Sequence, residues 1–223
     1  MSYTIITLEP TNYLDALTFQ ENFFNAQLEK KANSEETENT LILLQHTPVY
    51  TLGKSGDICN LKVPIEETGA EFYQTKRGGD ITFHGPGQLV VYPIFDIENF
   101  GISVREYVAK LEQCVIECIA EYGLKGERIE DASGVWLDAG NKKARKICAV
   151  GLKVSRGISM HGLAFNINTD LSYFDHIVPC GIQGKGVTSL AKELGKPVDA
   201  ESVKEKLKLH LGSLFEIEEF QIN

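Results

Sequence analysis

The 223-residue chain contains no run of the ~18 apolar residues that a bilayer-crossing helix needs, so no membrane span is expected. Its opening, Met1 to Ile6, lacks the basic stretch and small-residue cleavage site of a signal peptide, and a cytoplasmic location is expected. Positive charge is also scarce. Lys and Arg number 22 against 31 Asp and Glu, for a net charge of −9, which argues against a general nucleic-acid binder. Five cysteines (59, 114, 118, 148 and 180) make an odd count without any C-x-x-C pair. Neither a disulfide framework nor a four-ligand zinc site fits that pattern, and no metal or cofactor is expected. Several catalytic templates are missing too. There is no G-x-S-x-G elbow, no G-x-x-x-x-G-K-[ST] loop, no H-E-x-x-H and no dinucleotide fingerprint. Internal repeats and low-complexity tracts are absent.

What is present suits a packed globular protein. Hydrophobic residues make up 43% and charged residues 24%, enough to build a sizeable core in a single domain over 1–223. The β-branched segment Tyr3 to Leu8 predicts a strand. Thr11 to Ala32 predicts a helix, with Thr11 as N-cap and Leu14, Leu17, Phe24 and Leu28 on its apolar stripe. Thr40 to Gln45 and Val49 to Leu52 are short apolar runs suited to buried strands. Gly53 to Thr68 reads as a long loop. Strands are expected at Phe72 to Lys76, Ile81 to Phe83 and Leu89 to Asp96.

Val104, Val108, Leu111, Val115, Cys118, Ile119 and Tyr122 mark a second helix, which makes Cys118 a core filler and puts Cys114 near the stripe's edge. Further strands fit Gly134 to Leu137, Lys146 to Val154 and Ile158 to Asn168, and Thr169 to Val187 reads as a loop. Helices at Ser189 to Leu194 and Asp199 to Phe215, the second capped by Asp199, close the chain. The expected class is α+β: an α/β sandwich whose mixed, largely antiparallel sheet carries helices on one side.

Four places carry potential chemistry. Cys180, between Pro179 and Gly181, is a thiol on a bent, approachable backbone, the setting of a nucleophile. Arg77-Gly78-Gly79 is a turn whose glycines expose backbone N–H groups to an anion or a ligand, and Gly85-Pro86-Gly87 again allows close approach. His84 and His161 each precede a glycine, and for both a positioning role is favoured over direct catalysis. Lys146 and Cys148 are two apart on an expected strand and so should share a face. A desolvated lysine there would work as acid or base, and a protonated one would favour a nearby thiolate. Cys148 is the rival nucleophile, but a mid-strand cysteine suits a core better. From Ala139 to Thr169 there is no acidic residue, while Lys142, Lys143, Arg145, Lys146, Lys153 and Arg156 fall there. That stretch is either a solvated hairpin or a landing for an acidic partner.

Taken together, these segments resemble the lipoyl(octanoyl) transferases, which are octanoyl-carrier-protein:protein octanoyltransferases. The resemblance rests on His46 to Gly53, Arg77 to Gln88, Tyr92-Pro93, Gly134-Val135-Trp136, Lys146-Ile147 followed by Gly151, Met160 to Asn166, and Pro179-Cys180-Gly181. It implies the biotin- and lipoate-protein ligase fold, with Cys180 as the acyl-thioester nucleophile and Lys146 as its partner. It also implies an acyl site lined by Arg77, Gly78, Gly79, Asp80, Ile81, Thr82, Phe83 and His84, by Ala149, Val150 and Gly151, and by Gly162, Leu163 and Ala164. The implied partners are octanoyl-acyl carrier protein, the lipoyl domains of 2-oxoacid dehydrogenase E2 subunits and the glycine cleavage H protein. ATP would not be required. The competing readings are an ATP-dependent lipoate or biotin ligase on the same fold and an inactive module that only binds these partners.

Overall fold

The computed structural model describes residues 3–178, 185–217 and 221–222. Its frame is a nine-stranded sheet. In chain order the strands are β1 (Tyr3–Thr7), β2 (Asn39–Leu44), β6 (Gln88–Ile94), β7 (Glu127–Ile129), β8 (Ala132–Leu137), β9 (Arg145–Ser155), β10 (Ile158–Asn166), β11 (Gly186–Val187) and β12 (Gln221–Ile222). They lie in the order β12-β1-β2-β6-β10-β9-β8-β7, with β11 added alongside β9. The pairs from β2 through β7 are antiparallel, whereas β12–β1, β1–β2 and β11–β9 are parallel. A separate small sheet, β4-β3-β5, is made of β3 (Val49–Leu52), β4 (Glu71–Gln74) and β5 (Ile81–His84).

Helices cover both faces of the large sheet, where one was expected. On one face, α2 (Val104–Ala120) and α4 (Ala200–Leu214) set Leu111, Val115, Ile119, Val203, Leu207 and Leu211 against Leu41, Leu43, Val91 and Leu163. On the other, α1 (Tyr13–Ala32) lays Ala16 and Phe24 on Ile42, Leu44, Val90 and Tyr92. The reason lies in the central strands. Every residue of β2 and β6 is buried, so both of their faces need cover. The short helix α3 (Leu190–Leu194) adds Leu190 to the α2–α4 core.

Several local expectations shift. Asn12, not Thr11, caps α1 by accepting from the Asp15 N–H, because Thr11 is engaged in a bridge to His46. Leu14 lies 48% exposed, and the buried stripe of α1 is Tyr13, Ala16, Gln20, Phe24 and Gln27. Cys114 is fully buried in the α2–α4 core rather than at its edge. Two single turns of 3₁₀ helix, Ile58–Asn60 and Ile65–Glu67, order part of the segment expected as loop, and Leu171–His176 does the same further on. β7 and β12 are too short to announce themselves in the sequence.

Candidate active site

β9 is the strand that builds the site. It is eleven residues long, but β8 pairs with it only as far as Ala149, so its far half has an open edge. The turn after β4 docks on that edge: the Gly78 N–H donates to the Leu152 carbonyl at 2.8 Å. That hydrogen bond uses a backbone donor that was expected to be free for an anion. Gly79 supplies the turn with a left-handed residue (φ 83°), and a Cβ at Gly151 would lie 3.0 Å from the Gly78 carbonyl oxygen. The approach of the two chains therefore depends on glycine.

Arg77 is spent on holding this turn. It is nearly buried, and its guanidinium donates to the Thr51 carbonyl (2.6 Å), to Thr51 Oγ1 (2.9 Å), to the Gly78 carbonyl (2.9 Å) and to the Asp80 carbonyl (2.8 Å). Thr51 in turn faces His84 Nε2 at 3.2 Å, and His84 Nδ1 donates to Gln88 Oε1 at 2.8 Å. The Gln88 amide then donates to Asn166 Oδ1, and Asn166 to the Thr188 carbonyl. A hydrogen-bonded chain thus runs from the Arg77 turn to Thr188, whose N–H donates to the Lys146 carbonyl. Such a chain fixes the relative position of segments far apart in sequence.

Between these walls lies a cavity of about 540 Å³. That volume is within the range of small-molecule sites. Its lining takes in Arg77, Gly78, Gly79, Asp80, Ile81, Thr82, His84, Lys146, Ala149, Val150, Gly151, His161, Gly162, Leu163 and Ala164. Fifteen of the residues singled out from sequence are therefore brought together. Phe83 is not among them; it stacks on Tyr173 (ring centroids 4.3 Å apart) in the separate core of the small sheet. Alternation along β5 turns it away from Thr82 and His84. Tyr13, Ser55, Val90, Tyr92, Val104, Val108, Asp131 to Ser133 and Leu152 also line the cavity. Val104 and Val108 belong to the helical period read from the sequence, and Val90 and Tyr92 fall on the expected strand Leu89 to Asp96. Nothing in the sequence signals Ser133, which contributes through its backbone.

Lys146 and Cys148 do not share a face. Gly134 pairs with Ala149 and Val135 with Cys148, but Trp136 pairs with Lys146, so Ile147 is an extra residue on β9. This bulge breaks the two-residue alternation. Ile147 and Cys148 both enter the α2–α4 core, and Lys146 turns to the cavity. Cys148 is fully buried, and desolvation pushes its thiol far above the ordinary range. Lys146 is 7% exposed; its Nζ donates to the Ser133 carbonyl at 2.9 Å and lies 4.6 Å from the centre of the Trp136 ring. Both contacts suit a cation.

His46, His84 and His161 are held neutral. Burial lowers His161 to about 3, helped by the charges of Arg77 and Lys153, and lowers His46 to about 4. His84 is also pushed well down, mainly by burial. His46 Nδ1 donates to the Thr11 carbonyl and its Nε2 accepts from the Tyr92 hydroxyl at 2.7 Å. His161 adopts a left-handed backbone (φ 62°), a costly conformation for a buried non-glycine residue.

Cys180, with Pro179 and Gly181, lies outside the described residues. The residues before and after them are anchored at the cavity. Val178 N–H donates to the Asn60 carbonyl, and the Asn60 side chain donates to Asp80 on the cavity wall. On the other side, Val187 in β11 pairs with Lys146 itself. The basic stretch is dispersed. Arg145 is clamped by Glu193 and Asp138, Lys153 lies on the Phe24 ring, and Lys146 is in the site. Only Lys142, Lys143 and Arg156 remain exposed.

A family profile, the lipoyl protein ligase A/B catalytic domain, matches residues 12–212. An octanoyltransferase of Flavobacterium johnsoniae is 50% identical over 217 residues, covering 93% of this chain and 94% of its own. One from Parabacteroides distasonis is 51% identical over 200 residues, with 88% and 90% covered. A crystal structure of lipoate-protein ligase A bound with ATP superposes with a TM-score of 0.76 at 15% identity, over 100% of this chain and 88% of that one. Biotin protein ligase from Aquifex aeolicus, in complex with biotin and ATP, gives 0.57 at 14% identity over 96% and 70%. The ligase likenesses speak for the fold; with the sequence relatives and the family profile beside them, the chain belongs to the lipoyl protein ligase A/B catalytic domain family and, within it, to the octanoyltransferases.

Proposed function

We propose that the chain transfers an octanoyl group from octanoyl-acyl carrier protein to a lysine of a lipoyl domain, through a thioester on Cys180. The acceptors are the lipoyl domains of 2-oxoacid dehydrogenase E2 subunits and the glycine cleavage H protein, and the reaction runs in the cytoplasm. The observation that carries this reading is Lys146. A buried ammonium on the cavity wall is paired through its own backbone to β11, a few residues after Cys180 in the chain.

In the first step the Cys180 thiolate attacks the thioester carbonyl carbon of the donor, and the carbon–sulfur bond to the carrier's phosphopantetheine breaks. The departing thiolate takes a proton from Lys146. In the second step the acceptor lysine amine attacks the acyl-enzyme. The amide forms, the Cys180 thiolate is released, and Lys146 accepts the proton lost by the attacking nitrogen. Lys146 thus ends as it began. As a cation it stabilises the thiolate; as an amine it serves as base. Because the donor is already a thioester, no adenylate is needed.

Val90, Val150, Leu152, Leu163 and Ala164 offer the octanoyl chain an apolar wall. Each buried methylene contributes about 0.8 kcal/mol, which gives modest selection of chain length. Lys142 and Lys143, exposed just before β9, offer a landing for an acidic carrier; Arg156 is exposed at the other end of that strand. The fold likeness to an ATP-bound ligase makes adenylate-forming ligation the second reading. A transfer assay with octanoyl-carrier protein and an apo lipoyl domain separates the two. Octanoylated domain formed without ATP supports the proposal; product only from free octanoate and ATP supports the ligase.

A further inference from the structure

We propose that Glu112 is a positioning residue for Lys146, acting through the peptide bond between Ser133 and Gly134; the inference rests on Lys146 being the proton carrier proposed above. Glu112 lies on α2, among the apolar residues that face the sheet, and is 5% exposed. Its Oε1 accepts from the Gly134 N–H at 2.7 Å, and its Oε2 accepts from Arg128 Nε at 2.9 Å. The carbonyl of the same peptide unit, on Ser133, accepts from Lys146 Nζ at 2.9 Å.

In a trans peptide the N–H and the C=O point in opposite directions. The carboxylate therefore meets the positive end of the peptide dipole and the ammonium meets its negative end. Each charge polarises the unit in the sense that strengthens the other hydrogen bond. The peptide plane itself is fixed. Gly134 has φ 122°, and a Cβ there would lie 2.4 Å from the Cys148 carbonyl oxygen, so the segment tolerates only glycine.

The local charge balance gives the carboxylate a purpose. Lys146 and Lys185 lie over the same Trp136 ring, at 4.6 and 5.1 Å from its centre. Two cations on one indole repel each other. A buried carboxylate on the opposite side of the peptide offsets that repulsion for Lys146 and holds its Nζ on the Ser133 carbonyl. A core helix has no packing reason to bury a glutamate against a strand backbone.

The test compares Glu112→Gln with Arg128→Gln. The first keeps an acceptor for Gly134 N–H and removes the charge; the second breaks the link between α2 and β7 but leaves the carboxylate in place. Three quantities are read for each: thermal unfolding, steady-state transfer, and trace acylation of Lys146 by acetic anhydride at fixed pH, followed by peptide mass spectrometry against the other lysines. Glu112→Gln is expected to acylate Lys146 several-fold faster while the other lysines keep their rates. Its kcat is expected to fall about tenfold with KM unchanged for donor and acceptor, the size of coupling typical of contacting groups. Arg128→Gln should alter neither by more than about twofold, because the carboxylate keeps its bond to Gly134 N–H and loses only a partly exposed ion pair. Changed Lys146 acylation with unchanged transfer would uphold the positioning and sink the proton-carrier role of Lys146. Unchanged Lys146 acylation in Glu112→Gln, or equal effects from the two variants, would overturn the proposal and make Glu112 a tie between helix and strand.

Discussion

The two faces of the large sheet follow different rules. Towards α2 and α4 the interior is mainly apolar, with Leu111, Val115, Leu207 and Leu211 fully buried beside Phe95, Phe165 and Phe215, and Glu112 is the buried charge that α2 adds to it. Towards α1 the buried set includes Gln20, His46, His84 and His161, and the cavity opens there and along the edge of β9 where the Arg77 turn docks. Burying polar groups costs free energy unless they are hydrogen-bonded, and His46 and His84 meet that condition through Thr11, Tyr92, Thr51 and Gln88. One side mainly holds the fold together and the other gathers polar groups around a ligand space, which α2 reaches through Val104, Val108 and the hydrogen bond from Gly134 N–H to Glu112. The Ile147 bulge enforces the division on β9, sending the Cys148 thiol to the first side and the Lys146 amine to the second.

That division can be broken one side at a time. The largest effect is expected from the chemical side. Lys146→Ala should cut octanoyl transfer by about 10²–10⁴, the usual contribution of a positioned acid–base group, with little change in thermal unfolding. Lys146→Arg should preserve Cys180 alkylation by iodoacetamide but not transfer, since arginine keeps the charge and holds its proton. Equal activity in Lys146→Arg and the parent would show that charge alone matters.

On the structural side, Leu111→Ala should cost about 2–5 kcal/mol in urea unfolding while kcat per folded molecule stays constant. A loss of kcat at constant folded fraction would mean that the two faces are coupled.

The third test uses pH. The buried neutral histidines have folded pKa values of about 4 (His46) and about 3 (His161) against an unfolded value near 6.5. Between those limits the unfolded chain binds more protons than the folded one. Stability is therefore full above about pH 6.5 and is lost as pH falls, by up to about 1.4 kcal/mol per unit for each histidine. His161→Asn, a residue that tolerates the left-handed backbone, should flatten this slope by one histidine's share. An unchanged slope would mean that His161 is not buried as neutral imidazole. The smallest effect is expected for Cys148→Ala: transfer within about twofold of the parent and a stability loss of about 1 kcal/mol.

Much of this arrangement is legible in the sequence because its signals are local. The α2 stripe has a clean helical period, and Asp199 caps α4 as its side chain suggests, accepting from the Glu201 N–H. The antiparallel pairing of β9 with β10 follows from the short Arg156-Gly157 turn between the two expected strands. Three features are not legible. The α1 stripe is hidden because its buried face carries Gln20 and Gln27, polar residues that a hydrophobic pattern passes over. The bulge at Ile147 depends on how Val135 and Trp136 on another strand pair with β9, which no spacing within β9 reveals. The hold on Lys146 comes from a backbone carbonyl, which has no residue type. Glu112 did leave a trace, because it interrupts the apolar stripe between Val108 and Val115 on the buried side of α2.

In the proposed reaction Cys180, and no other thiol, carries the acyl group. The direct measurement is to mix the protein with octanoyl-acyl carrier protein in the absence of ATP, quench in acid, and locate the added octanoyl group by peptide mass spectrometry. One octanoyl group is expected, on the peptide containing Cys180, lost on treatment with hydroxylamine and absent in Cys180→Ser. An octanoyl group on Cys148, or an unmodified enzyme that nonetheless forms octanoylated lipoyl domain, would contradict it.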